Sequence, residues 1–350
     1  MNAPFFSVIV PVCNRVAYMK SGVEMLLSQT FRDFEAILVD DGSSDGSAAV
    51  CDEAAAHEKI TTVHTDNAGA GPARNAGLGL ARGKYVCFFD IDDRVGPDWL
   101  EKIYGILKDE TADLLVYGYR ETDSASGSVA EFAFDNCRFD TNVALRQAYP
   151  ELLSGVRFNN GFVWNKVYDR EFLSRNAIRF PDLRIQQDEV FNHAVYKKAE
   201  RTIVVPEVLY DYYVYNSGTG RSAFIPGRLG IFKAVRASFL DLYGFWGLDD
   251  KRLLTYIHRR FIHSILYNRN KTGLRHCCRY AGEVFSSAEA AESLAYLKAC
   301  CAPCYVEIDR LYRIAVERKS KTLFLLAEIR TRTVQSAKCL YRRLRKRSSA

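Results

Sequence analysis

The residues best suited to chemistry are carboxylates that close short apolar runs. Asp40 and Asp41 follow the run Glu35–Val39, and Asp90, Asp92 and Asp93 follow Tyr85–Phe89. Two further polar segments occupy the same position, Pro11–Asn14 at the end of the apolar run over 5–12 and Asp66–Gly71 after Ile60–His64. If the four runs are neighbouring parallel strands, these segments meet at one edge of a sheet, where open α/β sheets bind ligands. Any one of them alone is ordinary turn chemistry. Gathered together, three acidic segments repel one another unless a cation sits among them, and hard oxygen ligands select Mg²⁺ or Mn²⁺.

The elements needed to bring them together are readable. The run over 5–12, β-branched and apolar and ended by Pro11 and Asn14, predicts a buried strand, and a helix follows over Ala17–Gln29. After Glu35–Val39 the acidic, Gly/Ser-rich turn Asp40–Asp45 leads into a helix with Ser44 or Asp45 as N-cap. Ile60–His64 reads as a third strand, Pro72–Ala81 as a helix with proline in its first turn, and Tyr85–Phe89 as a fourth strand. This alternation predicts an α/β fold, a Rossmann-like, mostly parallel sheet with helices on both faces. Beyond it, Asp113–Arg120 predicts a strand, Ser124–Ser128 a turn and Val129–Phe134 the returning strand. Helices are expected near Asn142–Leu153 and from Asp188 to about Lys198. After Pro226, Leu229–Tyr243, Lys251–Tyr267 and Ala288–Cys300 carry helical apolar spacing. The expected organisation is a catalytic domain over 1–222, a helical C-terminal region over 223–320 and a basic amphipathic tail over 321–350.

The 350 residues are 48% hydrophobic and 26% charged, which excludes a disordered or low-complexity chain. Lys and Arg number 48 against 42 Asp and Glu, a net +6. Residues 321–350 hold nine basic residues against Glu328 alone, a local +8, so residues 1–320 carry −2. No apolar run approaches the ~18–20 residues that span a bilayer. Met1–Val12 lacks a basic leader and a small-residue cleavage site, and reads as a strand rather than a signal peptide. The ten cysteines read as reduced thiols of a cytosolic protein, and Cys277–Cys278 with Cys300, Cys301 and Cys304 lacks the paired spacing of a zinc site.

The blocks SVIVPVCN, ILVDDGSSDGS, NAGAGPARNAGL and GKYVCFFDIDD, in this order and spacing, resemble the successive blocks of the family 2 inverting glycosyltransferases. The likeness covers 5–120 strongly and 160–220 more loosely. It implies the GT-A fold, a nucleotide-diphosphate sugar as donor (UDP-linked by preference) and a divalent cation, Mn²⁺ or Mg²⁺. It further implies that Pro11 and its neighbours through Asn14 border the nucleotide base, with Cys13 where the family often has an aromatic ring. Asp41 or Asp40 would hydrogen-bond the base, and Arg74 would approach the diphosphate. Asp90 and Asp92 match the DxD motif, Asp92 as metal ligand and Asp90 as ribose or metal contact, and Asp93 extends the cluster. Gln187-Asp188-Glu189, preceded by Arg179-Phe180-Pro181, resembles the Glu-Asp segment that opens a helix, so Asp188 matches the catalytic base, with Gln187 in place of Glu. Trp164–Tyr168 resembles another block, in which Lys166 would meet phosphate or acceptor.

The residue types suit that chemistry without the family. A nucleoside diphosphate leaves more easily when a cation and an Arg neutralise the charge growing on its β-phosphate. Inverting displacement also needs a carboxylate to take the proton of the attacking hydroxyl. His193 reads as packing, and Tyr210, Tyr212, Tyr213 and Tyr215 suit either a sugar platform or a covered sheet face. Arg221 is a candidate for closing over the diphosphate. Residues 321–347, with apolar residues on one side and most Arg and Lys on the other, suit an anionic membrane surface. The resemblance and the basic tail, not the catalytic residues, imply transfer to a glycan or lipid-linked acceptor in surface-polysaccharide synthesis, on the cytoplasmic face of the membrane. The competing classes are a sugar-nucleotide-forming nucleotidyltransferase, which needs a Gly-rich basic loop where this chain has Val12–Arg15, a dehydrogenase, whose GxGxxG would follow the first strand, and a nucleic-acid-binding protein using the basic tail.

Overall fold

The computed structural model describes residues 3–154, 161–215, 225, 227–266, 274–301, 310–327 and 329–330. Arg221 and the basic segment beyond Arg330 lie outside the described residues. Met1–Thr219 with Ala237–Leu248 form one unit, and Gly220–Arg236 with Asp249–Ala350 form another.

The first unit is built on β1 (Phe6–Val12), α1 (Val16–Leu27), β2 (Phe34–Asp41), α2 (Ser47–Ala54), β3 (Ile60–Thr65), α3 (Ala70–Leu80) and β4 (Tyr85–Phe88). These are followed by β5 (Arg94–Val95), α4 (Trp99–Leu107), β6 (Leu114–Asp123), β7 (Val129–Phe132), β8 (Cys137–Phe139) and α5 (Asn142–Ser154). Then come β9 (Lys166–Asp169), α6 (Arg170–Arg175), α7 (Gln187–Lys198) and β10 (Thr202–Val214). The sheet order is β3-β2-β1-β4-β9-β6-β10-β5, with β7 on β6 and β8 on β10.

The four strands read from the start of the chain are parallel neighbours, as the alternating pattern predicts. Val8, Val10 and Val12 share one core face with Met19 and Leu26 of α1, Cys51 of α2 and Leu100 and Ile103 of α4. Ile9 points to the other face, where Gly77 of α3 lies so close that a Cβ there would be 2.4 Å from Ile9 Cγ2. Helices therefore cover both faces, each against the alternate side chains of the same strand. The register Val12↔Asp40 and Asp40↔His64 brings the ends of β1, β2 and β3 level.

Beyond β4 the sheet becomes mixed. β9 runs antiparallel to both β4 and β6, and β6 and β10 are parallel. β10 is far longer than the tyrosine-rich stretch suggested; its register shifts between Val204 and Val208, around Pro206, which has no N–H for the ladder. The cap expected at Ser44 or Asp45 is instead Gly46 at φ 95°, a left-handed turn that favours glycine. Asp45 still serves the helix ends, accepting the N–H groups of Ser47 (3.0 Å) and of Val16 at the start of α1 (3.0 Å).

The second unit is helical. α8 (Arg228–Trp246) supplies residues to both units, and α9 (Lys251–Leu266), α10 (Leu274–Phe285), α11 (Ala288–Cys300) and α12 (Arg310–Glu317) follow. The apolar spacing over Leu229–Tyr243, Lys251–Tyr267 and Ala288–Cys300 falls on α8, α9 and α11; α10 escaped the sequence reading. Within this unit Ser293 of α11 meets His258 Nδ1 at 3.0 Å and accepts from Arg236 Nε at 3.2 Å. Cys13, Cys51, Cys87, Cys137 and Cys300 are free thiols. No described helix is long and apolar enough to cross a membrane.

Candidate active site

The loop after β4 carries Asp90, Asp92 and Asp93, and each carboxylate faces a different partner. Asp92 Oδ2 accepts from Arg15 Nε at 3.0 Å, and its pKa is raised by burial and by Asp90, with Arg15 opposing. Asp93 is turned inward, 3% exposed: Oδ2 accepts from the Tyr210 hydroxyl (3.0 Å) and Oδ1 from the Tyr213 N–H (2.9 Å). The same Tyr210 hydroxyl accepts the Asp90 N–H at 3.1 Å, and Tyr215 donates to the Asp92 carbonyl at 3.0 Å. Strand β10 thus clamps the acidic loop, with Asp93 as one jaw of the clamp.

Asp90 leads to the base candidate. Arg74 of α3 donates from Nη2 to Asp90 Oδ1 at 2.8 Å and from Nη1 to Asp188 Oδ1 at 2.7 Å. The guanidinium is 4% exposed, lies over the Phe180 ring and has a buried Nε with no hydrogen-bond partner. Burial pushes the Asp188 carboxyl up to about 6, against the pull of Arg74 and with a further upward push from Asp90. Three local devices deliver Asp188 to this point. Asn75, next to Arg74, clamps the backbone of Phe180 by donating to its carbonyl (2.9 Å) and accepting its N–H (2.9 Å). Gly71 permits α3 to approach α7, since a Cβ there would lie 3.1 Å from Gln187 Cγ and 3.2 Å from the Pro181 carbonyl. Gln186 turns the chain into α7 at φ 64°, a conformation that costs a non-glycine residue energy.

At the ends of β1 and β2, Asn14 (φ 52°) pins two loops together: its N–H donates to Ser43 Oγ at 3.0 Å and its Oδ1 accepts the Ser44 N–H at 2.8 Å. Asp40 accepts the Ser43 N–H (3.2 Å) and meets His64 Nδ1 (3.0 Å). Asp41 accepts the N–H groups of Ala68 (2.9 Å) and Gly69 (2.8 Å), so it holds the loop that opens α3. Pro11 is half-buried on β1, in register with Val39, and Cys13 receives the Asn67 amide at 3.4 Å.

Lys166 lies elsewhere than a phosphate-binding role needs. It is 1% exposed, with Nζ donating to the Phe162 carbonyl (2.6 Å) and Asn165 Oδ1 (2.8 Å), and burial pulls its pKa down to about 7. Trp164 stacks on Tyr210 at 4.5 Å between ring centroids and is core. His193 is buried with its ring on Phe239, and Nδ1 meets Ser238 Oγ at 2.8 Å. Sequence reasoning missed Arg15, Asn75 and the clamping role of Tyr210. The signal for Arg15 was present as a basic residue directly after the first polar segment.

Whether these residues suit a divalent cation follows from the donor set. Among the described residues no group of three or more His, Cys, Asp or Glu is arranged to hold a metal by itself. Mg²⁺-type ions are held by one or two carboxylates together with substrate phosphates. Asp92 and Asp90, crowded enough that Asp92 is pushed upward and needs Arg15 as counter-charge, fit that role. Asp93, with both oxygens engaged inside the sheet edge, does not extend the set.

Residues 7–144 match the family described as Glycosyl transferase family 2. The putative glycosyltransferase EpsH of Bacillus subtilis (strain 168) is 30% identical over 227 residues, 62% of this chain, and the match spans 63% of that relative's length. Residues 1–349 of S. aureus TarS, in complex with UDP-GlcNAc, share the fold with TM-score 0.62 at 20% identity, over 95% of this chain and 92% of that one. Mannosyltransferase PcManGT from Pyrobaculum calidifontis, in complex with GDP-Man and Mn2+, gives TM-score 0.52 at 18% identity, over 93% and 86% of the two chains.

Proposed function

We propose that this chain, which belongs to glycosyl transferase family 2 and has the GT-A fold, transfers a sugar with inversion from a nucleotide-diphosphate sugar, UDP-linked by preference, to a glycan or lipid-linked acceptor of a cell-surface polysaccharide. The observation that carries this reading is the Asp90–Arg74–Asp188 bridge. It sets a carboxylate of the acidic loop and a carboxylate at a helix start on one buried guanidinium, joining a leaving-group side to an acceptor side.

In the displacement, the acceptor hydroxyl oxygen bonds to the anomeric carbon while the carbon–oxygen bond to the diphosphate breaks. The nucleoside diphosphate leaves with that electron pair and Asp188 takes the hydroxyl proton. A base titrating near 6 is ionised at neutral pH and still basic enough to assist. Arg74 orients Asp188 and keeps it ionised; its burial argues for this positioning role over direct contact with the diphosphate. Asp92 and Asp90 would hold Mn²⁺ or Mg²⁺, which when bound offsets charge on the departing diphosphate. The GDP-Man and Mn2+ complex of a fold neighbour supports a cation here, and the UDP-GlcNAc complex of TarS supports a nucleotide-sugar donor. Pro11, Asn14, Asp40 and Asp41 shape the base side. The basic residues of 321–347 would hold the enzyme on an anionic membrane surface, each contributing about 1 kcal/mol.

A thermal-shift screen of nucleotide sugars with and without Mn²⁺ tests the reading, because a ligand that binds only the folded chain stabilises it. A UDP-sugar should raise the melting temperature more with Mn²⁺ than without, and Asp92→Ala should abolish the Mn²⁺-dependent part. No shift with any nucleotide sugar would overturn the donor assignment.

A further inference from the structure

Beside the base-side loops stands a histidine that the transfer reaction does not use. His64, near the end of β3, is bracketed by carboxylates on both ring nitrogens: Nδ1 lies 3.0 Å from Asp40 Oδ2 and Nε2 lies 2.9 Å from Asp52 Oδ1 of α2. A neutral imidazole has one N–H and one lone pair, so it can donate to only one carboxylate. Satisfying both requires the imidazolium. Asp40 and Asp52 are the charged groups set against the ring from β2 and α2, and the nearby Cys51 thiol, pushed up to about 12 by burial, stays neutral.

The bracket acts on the site through hydrogen bonds already described. Asp40 is buried, and its other oxygen accepts the N–H of Ser43, whose hydroxyl receives Asn14. Asn14 in turn accepts the Ser44 N–H. The chain His64, Asp40, Ser43, Asn14 therefore runs from an exposed ring at the sheet edge to the two loops that border the nucleotide.

We propose that protonated His64, held by Asp52, is a positioning residue for the nucleotide site: it fixes Asp40 and through it the Asp40–Ser44 and Pro11–Asn14 loops, so nucleotide affinity depends on its charge. The inference rests on the nucleotide-sugar reading above and adds a residue to it. The hydrogen bonds that its ring donates to Asp40 and Asp52 raise the imidazole pKa above its ordinary value. The device is complete below that raised value and is lost as pH rises through it.

The test is calorimetric titration of UDP and of GDP from pH 5.5 to 9 into the wild type, His64→Gln and Asp52→Asn, with the His64 ring protons followed by NMR. For the nucleotide that binds, wild-type affinity should fall by about ten- to a hundredfold as His64 deprotonates, the loss of one charged hydrogen bond. His64→Gln should bind at the weakened level throughout, without that step. Asp52→Asn should keep the low-pH affinity and move the step, with the NMR titration, to lower pH. A step of unchanged size and midpoint in His64→Gln would overturn the positioning role while leaving the donor reading intact. Absence of binding by both nucleotides at every pH would overturn the donor reading itself and this inference with it.

Discussion

A carboxylate that serves as a base must be charged, and Asp188 sits where opposing forces set that charge. Burial raises its pKa to about 6 and Arg74 holds it from going higher. Transfer should therefore increase as pH rises through about 6 and then level off, because only the ionised form accepts the acceptor's proton. Arg74→Gln removes the opposing charge and should carry the rise to higher pH, visible in kcat/KM profiles of the two proteins. A wild-type rise centred near 4 would contradict the burial argument. The types of these residues were readable in the sequence: acids after strands and at a helix start. Their pairing was not, because Arg74 and Asp188 are 114 positions apart and meet only through Asn75 on Phe180 and the missing Cβ of Gly71. For the same reason the inward turn of Asp93 and the burial of Lys166 were hidden, since both depend on what β10 and the segment before β9 place around them.

At the scale of elements, α3 is the part on which the site depends, because it carries Arg74 and Asn75 and packs directly on β1. Gly77→Ala adds helix propensity worth up to about 1 kcal/mol. It also drives a methyl to 2.4 Å from the branched Ile9, so the net effect should be a loss of about 1–3 kcal/mol. Gly79→Ala, on the same helix with nothing within 4 Å of its Cβ, should be neutral or stabilising. Urea unfolding of the two variants separates the effects, and equal stability would contradict the close packing. β10 governs the acidic loop in the same way: Tyr210→Phe leaves the Asp90 N–H and one oxygen of Asp93 without their partner, a loss of about 1–3 kcal/mol by unfolding. The parallel block β3-β2-β1-β4 was legible because each of its strands is a short apolar run ended by turn residues. The antiparallel β9 and the length of β10 were not, as their pairing is set by long-range register and by the Pro206 irregularity rather than by local pattern.

For the whole molecule, the net +6 divides into a body carrying −2 and a segment beyond 320 carrying +8. Every residue proposed for donor, metal or base lies in the first unit, between Pro11 and Asp188, so the proposed chemistry is confined to that unit. In the proposed reaction Asp188 removes the acceptor's proton while the acidic loop across Arg74 serves the donor. Its most direct test is Asp188→Asn, measured in parallel for donor binding by calorimetry with Mn²⁺ present and for glycosyl transfer with the donor that the thermal-shift screen identifies. Asp188→Asn should leave donor affinity unchanged, within about twofold, and reduce transfer by at least about 10²-fold. Transfer at the wild-type rate would contradict it.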